Sequence, residues 1–264
     1  MYLKSVEPPI TGTIPINNSS STDKNTPIPE NLRGRAHVYF FKPGIATWLM
    51  LEVVLTSPLA TVSGVWKRYD SRWVLRGVSL SIGEGDRVFI LGSNGSGKTT
   101  LLGIMAGLIQ PTRGSVSYSC GPLKRCVGYS GHYPLLYEDL TVEENIRYYS
   151  ILYGVDPGRV MGSSLWESLS LDNVRGLRVS QLSYGWRKRV DIARATLHSP
   201  QVLLLDEPFT GLDEDASKSL AKLLLDLSRS GVGIVMTSPR PDREYVELAT
   251  RMYNLQGGVL GNAV

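Results

Sequence analysis

The sequence predicts an α/β fold in which a mostly parallel β-sheet lies between layers of helices. Three short apolar runs, RVFIL at 87–91, VLLLD at 202–206 and VGIVMT at 232–237, have the length and turn-bounded ends of buried parallel strands. RMYNL at 251–255 predicts a further strand. Helical patterns separate these runs, and strands that alternate with helices indicate a parallel sheet with helices on both faces.

The residues before the first parallel strand predict an antiparallel β subdomain. LATVSGVWKRY at 59–69 and WVLRGVSLSI at 73–82 are β-rich runs, and a short polar turn joins them. After the strand at 87–91, a helix is expected over about 98–108, closed by a proline a few residues later.

The middle and the last third of the chain predict helices. Residues 137–198 are expected to be largely helical, and within them Thr141 precedes Glu144 by three residues, the spacing of a capping box. A further helix is predicted over 213–231, because leucines recur at i, i+3, i+4 and i+7 from Leu220 onward.

The first 49 residues differ in composition from the rest of the chain. They contain five prolines among the first 29 residues and the polar run NNSSSTDKN. Such a segment buries too little apolar area to offset its ordering entropy, so we expect residues 1–49 to be a disordered or poorly ordered N-terminal extension. Met50 then begins a domain over 50–264. One hypothesis is that the extension is an upstream segment without a structural role, or a misassigned start; a small docking arm is the alternative.

Composition bounds the class of protein. Of the 264 residues, 42% are hydrophobic and 20% are charged, which is ordinary for a globular protein with a sizeable core. A net charge of +4 is compatible with nucleotides, nucleic acid or an anionic membrane surface, and it selects none of them. The most apolar stretch, 45–55, is too short to span a bilayer and contains Glu52. Residues 1–30 show no secretory signal.

The cysteines carry little information by themselves. A disulfide between Cys120 and Cys126 is possible, but two cysteines in a chain of this length favour thiols in a reducing compartment. No other Cys or His pair has the spacing of zinc ligands, so we expect no structural metal.

A glycine-rich stretch, ILGSNGSGKTTLL at 90–102, matches the phosphate-binding pattern G-x-x-x-x-G-K-[ST] between a predicted strand and a predicted helix. The main-chain N–H groups of such a loop surround an anion, and the N-terminus of the following helix adds positive partial charge. Lys98 is expected to reach the β- and γ-phosphates, and the Thr99 hydroxyl to bind Mg²⁺. The residues expected to contact the nucleotide are Gly92, Ser93, Asn94, Gly95, Ser96, Gly97, Lys98, Thr99 and Thr100.

Two acidic residues stand at the end of the predicted strand VLLLD: Asp206 is its last residue, and Glu207 follows it. Asp206 is expected to reach Mg²⁺ through water. Glu207 is expected to point to the other side of the pleat and to polarise an attacking water. The alternative is a strand that ends in two solvated acids.

The block QLSYGWRKRVDIARATLHSPQVLLLDEPFTGLD at 181–213 resembles the signature, Walker B and D-loop of ATP-binding cassette (ABC) ATPases. The resemblance covers about 58–256, and the motifs occur in the family's order. It implies a P-loop NTPase core with an inserted helical subdomain at about 130–190, which carries the signature. It also implies that the domain at 50–264 is an ATP-binding domain that uses ATP and Mg²⁺ and hydrolyses ATP.

The resemblance implies a head-to-tail dimer around two ATP molecules. LSYGW at 182–186 stands where the family has L-S-G-G-Q, so Ser183 and Gly185 are expected to face the γ-phosphate held by the partner subunit. Asp213 resembles the D-loop acid that crosses this interface, and it can also cap its helix.

One aromatic side chain resembles the family's adenine-stacking residue. Tyr69 precedes the phosphate-binding loop at the right distance, and Trp66 and Trp73 are alternatives that can instead belong to the core.

Three departures from the family's pattern affect the expected chemistry. Tyr184 replaces a usual glycine of the signature and Trp186 replaces its final glutamine, whereas Ser183 and Gly185 remain. His132 stands where most members have the Q-loop glutamine; it can still hydrogen-bond, or contact the metal through water. Ser238 stands where a histidine usually contacts the γ-phosphate, so hydrolysis is expected to be slow with ATP binding intact. The catalytic set is therefore Glu207, His132 and Ser238, and the expected metal contacts are Thr99, Asp206 and His132.

The stretch GHYPLLYEDLTVEENIRYYSILYGV at 131–155 most resembles the haem-exporter ATPases of cytochrome c maturation, although drug and polysaccharide exporter ATPases look similar. The implied function is the motor subunit of an exporter, a dimer of two copies or of related chains. It drives a separate multi-span permease from the cytoplasmic face of the cell membrane. No nucleic-acid partner is expected.

Two surface features have more than one interpretation. The basic run WRKR at 186–189 can touch nucleic acid, but a solvated helix face is preferred. An aromatic cluster lies where family members dock the permease's coupling helix, and several of its members can instead pack in the core. The cluster comprises Tyr129, Tyr133, Tyr137, Tyr148, Tyr149 and Tyr153.

Two alternative functions stay open. Ser238 suggests an ATP-gated clamp or regulator with little hydrolysis. A non-transport ABC ATPase that acts on ribosomes or DNA is disfavoured, because the chain carries one cassette and no sustained heptad repeat.

Overall fold

The computed structural model describes residues 11–15, 35–40, 49–54, 57–240 and 246–262, and it divides the chain into two compact units, 1–57 and 58–264. Its first unit contains three strands in the order β1–β2–β3, with both pairings antiparallel. These strands are β1 (Thr11–Pro15), β2 (Arg35–Phe40) and β3 (Leu49–Val54).

The expected N-terminal extension and the first unit cover nearly the same residues. β1 and β2 lie within residues 1–49, and Met50 lies inside β3, whereas the unit boundary follows Ser57. Prolines and polar residues indicate disorder in this segment, but HVYF and LEVV carry β-branched and aromatic residues that favour strand pairing. Most of the extension lies outside the described residues, so its disorder and its role stay predictions.

The second unit is built on a central sheet that is parallel except at one edge. Among its described residues, six strands follow the order β12–β11–β6–β10–β9–β8, and only β12 runs antiparallel to its neighbour. This confirms the mostly parallel sheet. The strands are β6 (Arg87–Leu91), β8 (Val127–Ser130), β9 (Val202–Leu205), β10 (Gly233–Ser238), β11 (Arg251–Gln256) and β12 (Val259–Asn262).

A second sheet confirms the antiparallel β subdomain. Its order is β5–β4–β7, and both pairings are antiparallel with local register shifts. The strands are β4 (Ala60–Tyr69), β5 (Arg72–Ile82) and β7 (Arg113–Tyr118). The tight turn between β4 and β5 therefore brings Tyr69 to the end of this sheet.

The helical region is more broken than the sequence analysis expects, because short helices and turns interrupt 137–198. The capping box of Thr141 and Glu144 is confirmed at the start of α3. The helix after the glycine-rich loop ends at Met105, where Gly107 has a φ of 71° and terminates it. The helices are α1 (Lys98–Met105), α2 (Leu123–Cys126), α3 (Val142–Tyr153), α4 (Pro157–Val160), α5 (Ser164–Ser168), α6 (Tyr184–Thr196) and α7 (Glu214–Arg229). None of the described helices combines the length and apolar character that crossing a bilayer requires.

Two hydrophobic cores lie on opposite faces of the central sheet, because successive side chains of a strand alternate between faces. In β9, Leu203 and Leu205 pack with α6 and α7, whereas Val202 and Leu204 pack with α1 and the antiparallel sheet. Strands that are buried on both faces have apolar residues along their length, and polar residues lie only at or just beyond the strand ends. The functional groups therefore collect at one edge of the sheet.

The two cysteines form a disulfide in the structure, which corrects the preference for free thiols. Cys120 follows β7, and Cys126 ends α2 with its side chain buried. The chain reverses between these elements and brings the two Cα atoms to 5.7 Å. The number of cysteines in a sequence does not show such a chain reversal, which only the fold produces.

Buried polar residues attach α6 to the ends of the central strands. Lys188 is fully buried, and its Nζ donates to the carbonyl oxygens of Gly131 at 2.8 Å and Asp206 at 2.6 Å. Burial lowers the pKa of Lys188, and nearby carboxylates oppose this shift. The interpretation of WRKR as a solvated face is therefore wrong for Lys188, whose direction only the packing of α6 decides.

Asp191 makes the second attachment, one turn further along α6. Its carboxylate accepts from the Ser130 hydroxyl at 2.6 Å and from the Leu135 N–H at 3.0 Å, and it pairs with Arg194 at 2.8 Å. These bonds satisfy a fully buried charge, and they hold the loop after β8 against the helix.

We expect Lys188→Met to lower the free energy of unfolding by about 2–4 kcal/mol, because methionine fills the space but leaves two buried carbonyl groups without their donor. Urea denaturation measures the change. Lys218→Met is the matched control, since Lys218 forms an exposed ion pair with Glu214 and its loss should leave the midpoint unchanged. Equal effects of the two substitutions would contradict the role of Lys188.

Candidate functional site

The glycine-rich loop joins β6 to α1, and its glycines are needed for steric reasons. Gly95 and Gly97 have φ values of 79° and 111°, which favour glycine. A Cβ on Gly97 would lie 3.0 Å from the carbonyl oxygen of Val74, and one on Gly92 would lie 2.5 Å from that of Leu255. The loop can therefore lie closely against both sheets only with glycine at these positions.

Lys98 lies at the centre of this loop. Its Nζ donates to the carbonyl oxygens of Gly92 at 2.7 Å and Ser93 at 3.3 Å. Burial lowers the pKa of Lys98, and the carboxylates of Glu207 and Asp206 oppose the shift. An ammonium group has three N–H donors, so one is left for an anion held by the loop.

Asp206 and Thr99 meet as expected. The Thr99 hydroxyl donates to Asp206 Oδ2 at 2.6 Å, and the Thr237 hydroxyl donates to Asp206 Oδ1. A hydroxyl and a carboxylate are hard oxygen ligands, and Mg²⁺ is commonly held by one or two such groups with water and phosphate oxygens. The donor set therefore fits Mg²⁺. His132 as a metal contact stays a prediction; its imidazole is a less suitable ligand for this ion.

Glu207 reaches the site by a route that the pleat argument did not describe. Glu207 lies just after the end of β9 and has a φ of 49°. Non-glycine residues rarely adopt this conformation, and the exceptions are often found at functional sites. The Glu207 N–H donates to the Thr237 hydroxyl at 3.0 Å. Strand alternation therefore does not set the direction of this side chain, and a strained turn places Glu207 in the lining of the cavity that also holds Lys98 and Thr99.

A cavity of about 570 Å³ brings together several of the predicted residues. His132 Nδ1 lies 3.9 Å from Glu207 Oε2 at its border. A larger cavity, of about 860 Å³, lies near the ends of α6 and α7, and none of the predicted site residues line it. The residues that line the first cavity are Tyr69, Arg72, Val74, Asn94, Gly95, Gly97, Lys98, Thr99, Thr100, His132 and Glu207.

The structure separates the three aromatic candidates for the adenine contact. Tyr69 lines the cavity and is 44% exposed, with Lys67 Nζ 4.8 Å from its ring centre. Trp66 and Trp73 pack edge to face at 5.3 Å, and neither lines this cavity. Tyr69 is therefore the candidate that shares a cavity with Lys98 and Thr99.

The remaining loop residues lie around or below the cavity. Ser93 and Ser96 line an adjoining pocket of about 340 Å³, together with Arg72 and Trp73. Gly92 is buried beneath the loop, where its carbonyl group accepts from Lys98.

Two predicted residues are helix N-caps outside the cavity. The Ser183 hydroxyl accepts from the Trp186 N–H at 3.4 Å at the start of α6. Asp213 Oδ1 accepts from the Ala216 N–H at 2.8 Å at the start of α7, so the capping role of Asp213 is confirmed. Its other oxygen lies 3.5 Å from Arg189 Nη2.

Gly185 and Ser238 also lie outside this cavity. A Cβ on Gly185 would lie 2.5 Å from the carbonyl oxygen of Gly211, so the start of α6 packs directly on the chain before α7. The Ser238 hydroxyl donates to the Arg240 carbonyl group at 2.7 Å and accepts from its N–H at 3.3 Å. Ser238 lines a separate pocket of about 100 Å³ beside Glu207.

Sequence reasoning missed three residues that shape the site. Arg72 lines the cavity, Thr237 holds both Asp206 and the Glu207 main chain, and Lys188 fixes the Asp206 carbonyl group. The only signal for Thr237 in the sequence was its position directly before Ser238. No pattern distinguished Arg72 or Lys188 from ordinary surface cations.

Comparisons with known proteins identify the family of this chain. Residues 75–210 match the family model for ABC transporters. The Nod factor export ATP-binding protein I of Burkholderia orbicola is 35% identical over 183 residues, which are 66% of this chain and 60% of that protein. This chain therefore spans less than two thirds of that relative.

Two further matches cover most of the compared proteins. The lipopolysaccharide export system ATP-binding protein LptB of Acidithiobacillus ferridurans is 32% identical over 213 residues, which are 76% of this chain and 88% of that protein. A dimeric ATP-binding cassette in a post-hydrolysis state with ADP and phosphate has a TM-score of 0.68 at 25% identity, covering 77% of this chain and 98% of that one. The chain belongs to the ABC transporter family and carries an ABC ATPase domain.

Proposed function

We propose that this protein binds and hydrolyses ATP as the motor subunit of an ABC exporter. The observation that carries the proposal is the single cavity in which the glycine-rich loop, Lys98, Thr99 and Glu207 meet, with Asp206 bonded to Thr99. Phosphate binding requires the first two groups, metal binding requires Thr99 and Asp206, and hydrolysis requires a base such as Glu207.

The residues have distinct roles in this proposal. The loop N–H groups and the remaining Lys98 N–H bind the phosphates, and Tyr69 stacks on the base. Thr99 and Asp206 would hold Mg²⁺, and the ion would supply positive charge to the phosphates. Glu207 orients and polarises the attacking water; its Oε2 accepts from the Thr210 hydroxyl at 3.5 Å and lies 3.9 Å from His132 Nδ1.

A second copy of the cassette completes each site. Ser183 and Gly185 lie at the start of α6, and Asp213 at the start of α7, outside the chain's own cavity. The N-terminus of a 13-residue helix offers unpaired N–H groups and positive partial charge to an anion supplied from outside. A head-to-tail pair of cassettes would bring this helix start to the partner's γ-phosphate, and a structurally similar cassette is dimeric.

The aromatic cluster supports a permease partner, although only part of it faces solvent. Tyr133, Tyr137 and Tyr148 are exposed, with Tyr133 at 81%. Tyr129 packs against a core cluster, and its main chain accepts from Arg194. Exposed aromatic side chains are enriched at protein interfaces. The proposed location is the cytoplasmic face of the cell membrane, where a multi-span permease would cover this surface.

The cargo follows from the permease, because this subunit presents no cargo site in the proposed scheme. Haem export is the finer proposal, and it rests on the resemblance of residues 131–155. Two curated relatives are named for export of Nod factor and of lipopolysaccharide. Identification of the membrane protein that co-purifies with the chain decides among these cargo classes.

A second candidate function, an ATP-gated clamp with little turnover, is favoured by one observation. Ser238 turns its hydroxyl to the main chain of Arg240 and lies outside the cavity that holds the phosphate-binding residues. The Ser238 side chain therefore does not supply the positive charge that the usual histidine can carry at this position. The rate of ATP turnover separates a clamp from a motor.

We expect Glu207→Gln to keep ATP binding and to lower turnover by about 10²–10⁴-fold, because the amide cannot accept a proton from water. The trapped variant should form a dimer with Mg-ATP that light scattering detects. Glu84→Gln, at an exposed turn, should leave both measurements unchanged. A Glu207→Gln variant that hydrolyses at the native rate, or stays monomeric at saturating Mg-ATP, would contradict the proposed motor.

We expect Ser238→His to raise turnover, by up to about 10²–10⁴-fold, because an imidazole can reach the γ-phosphate that serine cannot. ATP affinity should change little, so the gain appears in kcat rather than KM. Ser230→His, at an exposed position after α7, is the control. No gain, or a loss relative to this control, would count against the explanation of slow hydrolysis.

A further inference from the structure

Two positions at which the sequence departs from the family's pattern contact each other in the structure. The Tyr184 hydroxyl donates to the carbonyl oxygen of His132 at 3.1 Å, and the two ring centres are 6.4 Å apart. Tyr184 is the first residue of α6, directly after the Ser183 cap. The start of the signature helix is thus bonded to the loop that carries His132.

The Tyr184 ring is held from its other side by the turn before α7. Gly211 has a φ of 77°, and a Cβ there would lie 2.7 Å from Tyr184 Cδ1. One side of the ring therefore packs on the Gly211 main chain, while its hydroxyl bonds the His132 carbonyl group.

Two residues of α6 hold successive carbonyl groups of the same loop. Lys188 Nζ donates to the Gly131 carbonyl oxygen at 2.8 Å, and the Tyr184 hydroxyl donates to that of His132. Tyr184 and Lys188 are four residues apart, so they lie on one face of the helix. Only a long donor side chain at position 184 can make the second bond, and a glycine there would leave the His132 carbonyl group without it.

The side chain of His132 lies between this attachment and Glu207. Its Nδ1 is 3.9 Å from Glu207 Oε2, and its ring packs edge to face on Tyr133 with centres 5.0 Å apart. The imidazole is 43% exposed, so packing alone constrains its position weakly. The bond from Tyr184 to the main chain at His132 therefore contributes more to holding it in place. A small shift of the backbone at position 132 would change the distance between the imidazole and the carboxylate.

We propose that Tyr184 is a positioning residue that sets His132 against Glu207, and that it couples the start of α6 to the catalytic carboxylate of the same chain. The inference rests on the proposed function, in which Ser183 and Gly185 contact the nucleotide of the other copy. Movement of this helix start when the partner's nucleotide binds would then move His132 through the Tyr184 hydroxyl. Each site of the dimer would respond in this way to the occupancy of the other.

Steady-state ATP turnover of the full chain tests the coupling. Tyr184→Phe keeps the ring and removes the hydroxyl, and we expect kcat to fall about threefold to tenfold with KM unchanged, the effect of one hydrogen bond. In a His132→Ala background the same substitution should change kcat by less than about twofold, because its effect passes through the imidazole. Tyr118→Phe is the matched control, since that hydroxyl also donates to a main-chain carbonyl group, that of Met105, away from His132.

A second measurement does not depend on turnover. The chain has three histidines, and the ring signal of His132 in a histidine-labelled NMR spectrum is assigned by its loss in His132→Ala. We expect Tyr184→Phe to shift this signal in the nucleotide-free protein and Tyr118→Phe to leave it in place.

The outcomes separate this inference from the proposed function. An unshifted His132 signal in Tyr184→Phe overturns the positioning role whether or not the chain hydrolyses ATP. Equal fold-losses of kcat from Tyr184→Phe with and without His132, or a change confined to KM, also overturn it. Failure of the motor proposal appears instead as native turnover that is insensitive to Glu207→Gln.

Discussion

The buried ammonium group of Lys188 connects the parts of the ATPase domain that the site requires. It donates to a carbonyl group after β8 and to one after β9, so it joins α6 to two neighbouring strand ends at once. The buried ammonium group is tolerated because it makes two hydrogen bonds and because three carboxylates nearby favour its positive charge. The helical layer, the loop that carries His132 and the strand that ends in Asp206 therefore hold a common geometry.

The site is assembled by short-range constraints around that junction. Thr237, from the strand beside β9, donates to Asp206 and accepts from the Glu207 main chain. Asp206 is thus held for the hydroxyl of Thr99, while the left-handed conformation of Glu207 turns its side chain into the cavity. Two adjacent acids acquire different environments in this way, one buried and bonded by two hydroxyls and the other facing the cavity beside His132.

The departures from the family's signature have a physical interpretation in this setting. Tyr184 bonds the main chain at His132, and the Trp186 ring stacks on the Arg189 guanidinium, which in turn lies near Asp213. The bulky residues therefore contact groups of their own chain at the end of the helix that would meet a partner. Ser183 and Gly185, which the proposed partner contact needs, keep their capping and close-packing roles.

Local patterns in the sequence determined the elements and the chemistry of the site. Apolar runs of strand length and the G-x-x-x-x-G-K-[ST] loop predicted the parallel sheet and the phosphate-binding loop, because each depends on residues close in the chain. Thr99 and Asp206 are 107 residues apart, and both were expected at the metal because each stands in a motif with that role. Tertiary packing alone decided the rest. The burial of Lys188, the positive φ of Glu207 and the contact of Tyr184 with His132 join residues from different elements, and no spacing along the chain encodes which side chains meet when those elements pack.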